Sequence, residues 1–318
     1  MENQTAQRIS SAQHILIICH ISPDGDAIGS LLGLGLALQK SGRRVVMACA
    51  DPVPEQCRHL AHWESIIQAP RGSFDLIVSL DCSDLKRLGT AYDAQAFADI
   101  PIVNIDHHTT NVQFGTLNWV EPTAAATSQM VFGLLRAMNV SLDVDIAMCL
   151  LNGILTDTLG FRTSGTTPEV MQVAIKLMDA GASLSELTDR IFNHRPLGTI
   201  RMWSRALQEI HLDDRIVWSQ ITRDMRQSVG LSEDGVSGLV SFLSTADEAD
   251  IAVVFDELEA GEIKVSMRAV PGADVSQVAL ALGGGGHAQA AGCTIPGPLE
   301  IARSQVLSML RQSRIKGP

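Results

Sequence analysis

Short apolar runs alternate with helix-like stretches through the first half of the chain, and three of the runs end at aspartate or histidine. His14 to Cys19 (HILIIC), Arg44 to Ala50, Phe74 to Leu80 (FDLIVSL) and Ile100 to Ile105 (IPIVNI) read as buried strands. Gly25 to Ser41, Thr123 to Met138 and Asp143 to Leu159 carry helical patterns. Alternation of this kind predicts an α/β domain with a parallel sheet and helices on both faces. In such sheets, ligands bind beyond the carboxyl ends of the strands. The residues there are His20, Pro23, Asp24 and Asp26 after the first run, Asp81 and Asp84 after the third, and Asp106, His107 and His108 after the fourth.

The pattern changes near Ser183 to Arg205, which reads as helical and polar on one side. The expected organisation is a first domain over residues 1–185, a helical linker over 186–208 and a smaller α+β domain over 209–318. Strands are expected at Arg215 to Thr222, Ile251 to Glu257 and Glu262 to Ala269. A helix from Asp274 to Leu282 precedes the glycine run Gly283 to Gly286.

Bulk properties narrow the function. A chain of 318 residues suits two domains. No apolar run approaches the ~20 residues of a membrane span. The opening MENQTAQRIS lacks the basic and apolar regions of a signal peptide. The six cysteines form no C-x-x-C pair and fall mostly in apolar segments, as buried thiols in a reducing cytoplasm would. The net charge of −11 comes with no basic stripe for long duplex DNA. Short anionic substrates remain open, because bound cations can supply positive charge locally.

His20-Ile-Ser-Pro23-Asp24-Gly25-Asp26 forms a tight loop that can turn both carboxylates the same way, with His20 close by. Carboxylate and imidazole together suit a transition-metal ion such as Mn²⁺. Either aspartate could instead cap the next helix; that leaves His20 and the other aspartate unexplained. In Asp106-His107-His108, adjacent histidines in extended backbone point opposite ways, so one can ligate a metal while the other faces a substrate. Asp106 is either a ligand or the group that fixes an imidazole tautomer. Asp157, late in an apolar helical run, needs a partner, whether a cation, a cap or a salt bridge. Crowded carboxylates repel one another unless cations intervene. Two metals ~3.5–4 Å apart would neutralise them and activate a bridging water, with Asp81 set by its order in the chain to bridge.

His20-x-x-Pro23-Asp24-x-Asp26, Asp81, Asp106-His107-His108 and Asp157 resemble the motifs of the DHH phosphoesterase superfamily. Gly284-Gly285-Gly286-His287-x-x-Ala290-Ala291-Gly292 resembles the signature of the DHHA1 domain. The resemblance spans nearly the whole chain and is closest to the nanoRNase/pAp-phosphatase type. It implies two Mn²⁺ ions, with Mg²⁺ or Co²⁺ as alternatives. His20, Asp24 and Asp81 would hold one; Asp26, Asp81, His107 and Asp157 would hold the other. Asp106 would orient His107, and His108 would lie by the scissile phosphate. The implied substrates are short oligoribonucleotides, cut to 5′-mononucleotides, and 3′-phosphoadenosine 5′-phosphate. A cytoplasmic enzyme is expected, with a homodimer as one arrangement open to it.

Successive glycines can line an anion-accepting concavity with backbone N–H groups, and Arg268 and His287 would add cationic donors. The plainer reading is a turn before the strand Ala290 to Ile295. By resemblance, this domain holds the nucleotide end of the substrate, and the phosphate lies between the two domains. Arg162, Thr163, Asn104 and Thr109 could touch phosphate or satisfy local backbone groups.

Other readings fit less well. Cleavage of cyclic or linear dinucleotides such as c-di-AMP or pApA is the near alternative. A processive single-strand exonuclease would want a basic track. A manganese pyrophosphatase shares the N-terminal motifs but lacks the glycine run. A catalytically silent nucleotide-binding regulator would show degenerate motifs. A Rossmann dehydrogenase fails because Gly29, Gly33 and Gly35 lie within the first helix and the loop before it is acidic.

Overall fold

A computed structural model describes residues 1–230, 238–258 and 260–315. The chain divides into two compact units, Met1–His194 and Arg195–Pro318. The division falls inside the stretch read as a linker, and that stretch is shared. Leu187 is buried in the core of the first unit, whereas Met202 and Ala206 are buried in a core of the second.

The first unit runs α1 (Glu2–Ser11), β1 (His14–Cys19), α2 (Gly25–Lys40), β2 (Arg44–Ala48), β3 (Ile66–Ile67), β4 (Leu76–Leu80), β5 (Ile102–Asp106), β6 (Leu117–Val120), α3 (Thr127–Ala137), α4 (Val144–Asp157), α5 (Pro168–Asp179) and α6 (Leu184–Thr188). Its six strands form one parallel sheet in the order β3-β2-β1-β4-β5-β6. Strand alternation explains why β1 is apolar throughout. Ile15, Ile17 and Cys19 join the core shared with the α-helices, while Leu16 and Ile18 join a second core on the other face. That second face is covered by the 3₁₀ segment Leu85–Ala91 and by Phe97.

Helix α2 is apolar almost all round because it is buried almost all round. It packs on α4 through small residues. A Cβ on Gly29 would stand 2.4 Å from the Cys149 carbonyl oxygen, and one on Gly153 would stand 2.5 Å from the Asp26 carboxylate. These glycines bring the end of α4, with Asp157, up to the loop that carries Asp24 and Asp26.

The second unit runs α7 (Leu197–Ala206), β7 (His211–Asp213), β8 (Ile216–Ile221), α8 (Arg223–Val229), α9 (Leu239–Leu243), β9 (Ile251–Glu257), β10 (Glu262–Ala269), α10 (Ser276–Ala281), β11 (Gly285–His287), β12 (Ala290–Pro296) and α11 (Leu299–Ile315). Its mixed sheet has the order β11-β12-β10-β9-β8-β7, with one parallel pair, β8 and β9. Among the described residues, no helix is long and apolar enough to cross a membrane.

The α2–α4 contact yields a test. Gly29→Ala should destabilise the first unit by about 1–3 kcal/mol, because backbone must shift and the gain in helix propensity is only about 1 kcal/mol. Urea unfolding followed by circular dichroism measures it; an unchanged or raised midpoint would contradict the packing described.

Candidate metal centre

The connections of the parallel sheet run one way from β1 and the other way from β4, and these two strands are neighbours. A crevice opens at such a switch point, outside the carboxyl ends of the strands. His20 follows β1, Asp81 follows β4, and Asp106 ends β5. Asp81 takes a left-handed backbone conformation (φ 56°), which aspartate tolerates better than most residues.

Around Asp81, two sets of side chains assemble. His20 Nε2 lies 3.5 Å from Asp81 Oδ2 and 4.0 Å from Asp24 Oδ1. His107 Nε2 lies 3.6 Å from Asp81 Oδ1, 3.9 Å from Asp26 Oδ2 and 3.1 Å from Asp157 Oδ2. Each of the trios His20/Asp24/Asp81 and Asp26/Asp81/His107 offers ligand atoms within 4.8 Å of one another. Asp81 therefore turns one oxygen to each set.

The tautomers follow from the other ring nitrogens. His20 Nδ1 stands 2.7 Å from the Ile21 carbonyl oxygen, and His107 Nδ1 stands 3.1 Å from that of Ala124. A carbonyl only accepts, so each Nδ1 carries the hydrogen and each Nε2 faces carboxylates with its lone pair; at His20 the 2.7 Å carbonyl contact outranks the longer approach of the donor Arg87 Nη2, at 3.3 Å. Lone pair against carboxylate is repulsive unless a proton or a cation lies between them. The donor set, carboxylate oxygens with imidazole Nε2, fits divalent cations of the Mn²⁺ type.

Local structure fixes each ligand. Asp24 is the N-cap of α2, and its Oδ1 accepts from the N–H groups of Asp26 and Ala27. Capping and membership of the His20 set thus fall to the same residue. Asp26 does not cap its own helix. Its carboxylate accepts from the N–H groups of Thr127 (2.6 Å) and Ser128 (2.9 Å) at the start of α3. Helix α3 was expected from Thr123, but it starts at Thr127, after Ala126 in extended backbone. A helix from Thr123 would place these amides inside it, so the sequence gives no sign of their role, nor of the 3.0 Å bond from Thr127 Oγ1 to Asp81 Oδ1. Asn152 on α4 donates to the Gly25 carbonyl at 3.1 Å and steadies the same loop.

The protonation pattern reflects this crowding. Burial pulls the His20 pKa down, but the Asp81 and Asp24 carboxylates outweigh it and hold it at about 9. Burial also opposes protonation of His107, and Asp157, Asp81 and Asp26 overcome it. Burial pushes Asp157 up to about 6, with Asp24 and Asp81 adding to the rise. Asp26 is raised by burial and by the charges of Asp81 and Asp157. Asp81 is also penalised by burial, yet His20, His108 and His107 keep it below the usual carboxylate range. Protons thus stand in for cations, and a divalent ion would displace them.

Asp106 corrects one expectation. It was to orient His107, but its Oδ1 stands 2.7 Å from His108 Nδ1, and His107 leans on the Ala124 carbonyl instead. Asp106 Oδ1 accepts from the His107 backbone N–H at 2.8 Å. Neighbouring side chains in extended backbone diverge, so one carboxylate serves one ring. Asp84 is not part of the cluster; it caps Lys86 N at 2.8 Å. Asn104 is buried and donates to the Cys82 carbonyl at 3.0 Å, and the exposed Arg162 donates to the Leu159 carbonyl at 2.6 Å.

Within the second unit, the second half of the glycine run, Gly285 and Gly286, belongs to the edge strand β11. A Cβ on Gly284 would stand 2.1 Å from the Gly292 carbonyl oxygen, so close approach of its own sheet already demands glycine there. Gly285 pairs with Gly292, Gly286 with Ala291 and His287 with Ala290, while Arg268 pairs with Ala290 from the other side. Residues paired across antiparallel strands share a face, so Arg268 and His287 project from the same face two strands apart.

Known proteins bear on this arrangement. The DHH family, N-terminal domain, matches residues 14–154, and the DHHA1 domain matches residues 216–313. The chain is 37% identical over 305 residues to the bifunctional oligoribonuclease and PAP phosphatase NrnA of Thermus thermophilus, covering 94% of this chain and 89% of that one. Its Bacillus subtilis counterpart is 26% identical, with 93% of each chain covered. An exopolyphosphatase-related protein from Bacteroides fragilis shares the fold with a TM-score of 0.88, at 23% identity over 99% of this chain and 96% of that one. The chain belongs to the DHH family of phosphoesterases, in the arrangement that joins a DHH domain to a DHHA1 domain.

Proposed function

We propose that this chain is a manganese-dependent phosphoesterase that cuts short oligoribonucleotides to 5′-mononucleotides and dephosphorylates 3′-phosphoadenosine 5′-phosphate. The observation that carries the reading is Asp81, whose two oxygens face separate imidazole–carboxylate sets at 3.5 and 3.6 Å. The substrate class rests on similarity to the Thermus thermophilus protein named a bifunctional oligoribonuclease and PAP phosphatase, at 37% identity.

His20, Asp24 and Asp81 would hold one ion, and Asp26, Asp81, His107 and Asp157 the other. Bound there, a cation pair supplies a hydroxide nucleophile at neutral pH and neutralises phosphate charge. The chain's own groups do the rest. His107 and His20 keep their protons on Nδ1 and leave Nε2 to ligate. His108, hydrogen-bonded to Asp106 through Nδ1, protonates the leaving oxygen from Nε2. Arg268, His287 and the backbone of Gly284, Gly285 and Gly286 bind the nucleotide end.

Three outcomes are expected. With Mn²⁺, purified protein should release mononucleotides from pApA and slightly longer oligoribonucleotides, and phosphate from 3′-phosphoadenosine 5′-phosphate. Turnover of pyrophosphate alone, or of cyclic dinucleotides alone, in the same panel would refute the substrate reading. Asp81→Ala should reduce activity to background and bind fewer Mn²⁺ ions than wild type by calorimetry; full activity would refute the shared-ligand assignment. The third concerns the metal-free protein. Asp157 ordinarily titrates at 3.8 and here at about 6; His20 ordinarily titrates at 6.5 and here at about 9. In both windows the folded chain binds more protons than the unfolded one, so its stability falls as pH rises. The melting temperature of chelator-treated protein should therefore fall as pH rises through the His20 window, from about 6.5 to about 9, and saturating Mn²⁺ should remove most of the decline. A flat metal-free profile would count against a cluster held together by protons.

A further inference from the structure

Asp106 is fully buried, and its two oxygens have different partners. Oδ1 takes the backbone N–H groups of His107 and His108 and the Nδ1 hydrogen of His108. Oδ2 is held by Asn111 Nδ2 at 2.5 Å. The same nitrogen stands 3.1 Å from the carbonyl of Cys82, the residue after Asp81. The amide has one orientation only, because Asn111 Oδ1 accepts from Gln113 N at 2.6 Å. Its two Nδ2 hydrogens thus tie the end of β4 to the end of β5.

We propose that Asn111 is a positioning residue for His108: by fixing the far oxygen of Asp106, it holds the near oxygen against His108 Nδ1 and so aims Nε2 at the leaving oxygen. The proposal rests on the phosphoesterase reading. It assigns the segment after the two histidines a share in proton delivery, distinct from holding ions. Asn111 touches neither His20, Asp24, Asp26 nor Asp157 in any contact described. Its loss should therefore reach the chemical step while sparing the ligands. Partners at this remove typically change activity by about 10–100-fold.

The test compares leaving groups in Mn²⁺-loaded protein. A ribose oxygen needs a proton as its bond to phosphorus breaks, whereas p-nitrophenolate does not. Asn111→Leu should lower kcat on pApA by about 10–100-fold with KM near that of wild type. On thymidine 5′-(p-nitrophenyl phosphate) the loss should stay within about threefold. Mn²⁺ affinity by calorimetry should be unchanged. Equal losses on both esters, full activity on pApA, or weakened Mn²⁺ binding would each overturn the proposal. Should Asn111→Leu fail to fold, Asn111→Asp keeps the shape while replacing the donor, and must lose activity on pApA selectively; retention of wild-type activity would overturn the proposal equally. Nitrogen-15 spectra of histidine in the Mg²⁺-loaded wild type add a check that needs no variant, since a His108 Nδ1 without an attached proton contradicts the arrangement. Wild-type protein inactive on both esters would instead sink the phosphoesterase reading itself.

Discussion

Asp26, Asp81 and Asp106 are all buried within one sheet edge, and the molecule is organised around keeping that arrangement tolerable. Like charges at this separation in a low-dielectric setting cannot all persist without compensation. Compensation comes in three forms. The helix N-terminus of α3 donates to Asp26, the backbone of the two histidines and Asn111 donate to Asp106, and three imidazoles surround Asp81. Of the three, Asp81 relies mainly on titratable neighbours for its charge balance, with one bond from the Thr127 hydroxyl. It is also the carboxylate that two ions would share.

The two histidines after β5 illustrate how a single strand end supplies unlike groups. His107 turns to Asp26, Asp81 and Asp157, while His108 turns to Asp106. A ring braced by a neutral carbonyl suits a ligand, since Nε2 keeps its lone pair. A ring braced by a buried carboxylate suits a proton carrier, since the carboxylate stabilises the imidazolium. The difference lies in which way the backbone just after β5 points each residue.

Much of this was legible in the chain. The apolar runs match β1, β2, β4 and β5 to within a few residues, because buried strands leave an unbroken apolar signature, whereas the short β3 and β6 have no such run and were not expected. The boundaries that failed did so for tertiary reasons. Helix α3 was expected from Thr123 because nothing local marks Ala126 as its edge; the edge exists because Asp26, a hundred residues earlier, takes the first amides. The glycine run was read as room for a ligand. At Gly284 the room is filled by the neighbouring strand, so a need for glycine there is explained by sheet packing. One asparagine in a polar loop carries no pattern; its partners are Asp106, at the end of the strand it follows, and the Cys82 carbonyl, which comes from the end of β4.

The sequence by itself determined which residue types lie at the strand ends, and hence that a carboxylate–imidazole chemistry is available. Local rules suffice for that, since an apolar run that breaks at His20, at Asp81 or at Asp106 reveals its end without any partner. Tertiary structure decided that β4, rather than β2 alone, lies against β1, so that Asp81 falls between His20 and His107. It also decided that Asp106 serves His108. Order along the chain puts Asp81 forward as the bridging residue, but it does not fix strand neighbours, which are chosen by how the crossovers pack, nor a carboxylate's partner, which is chosen by which groups that packing leaves within hydrogen-bonding distance.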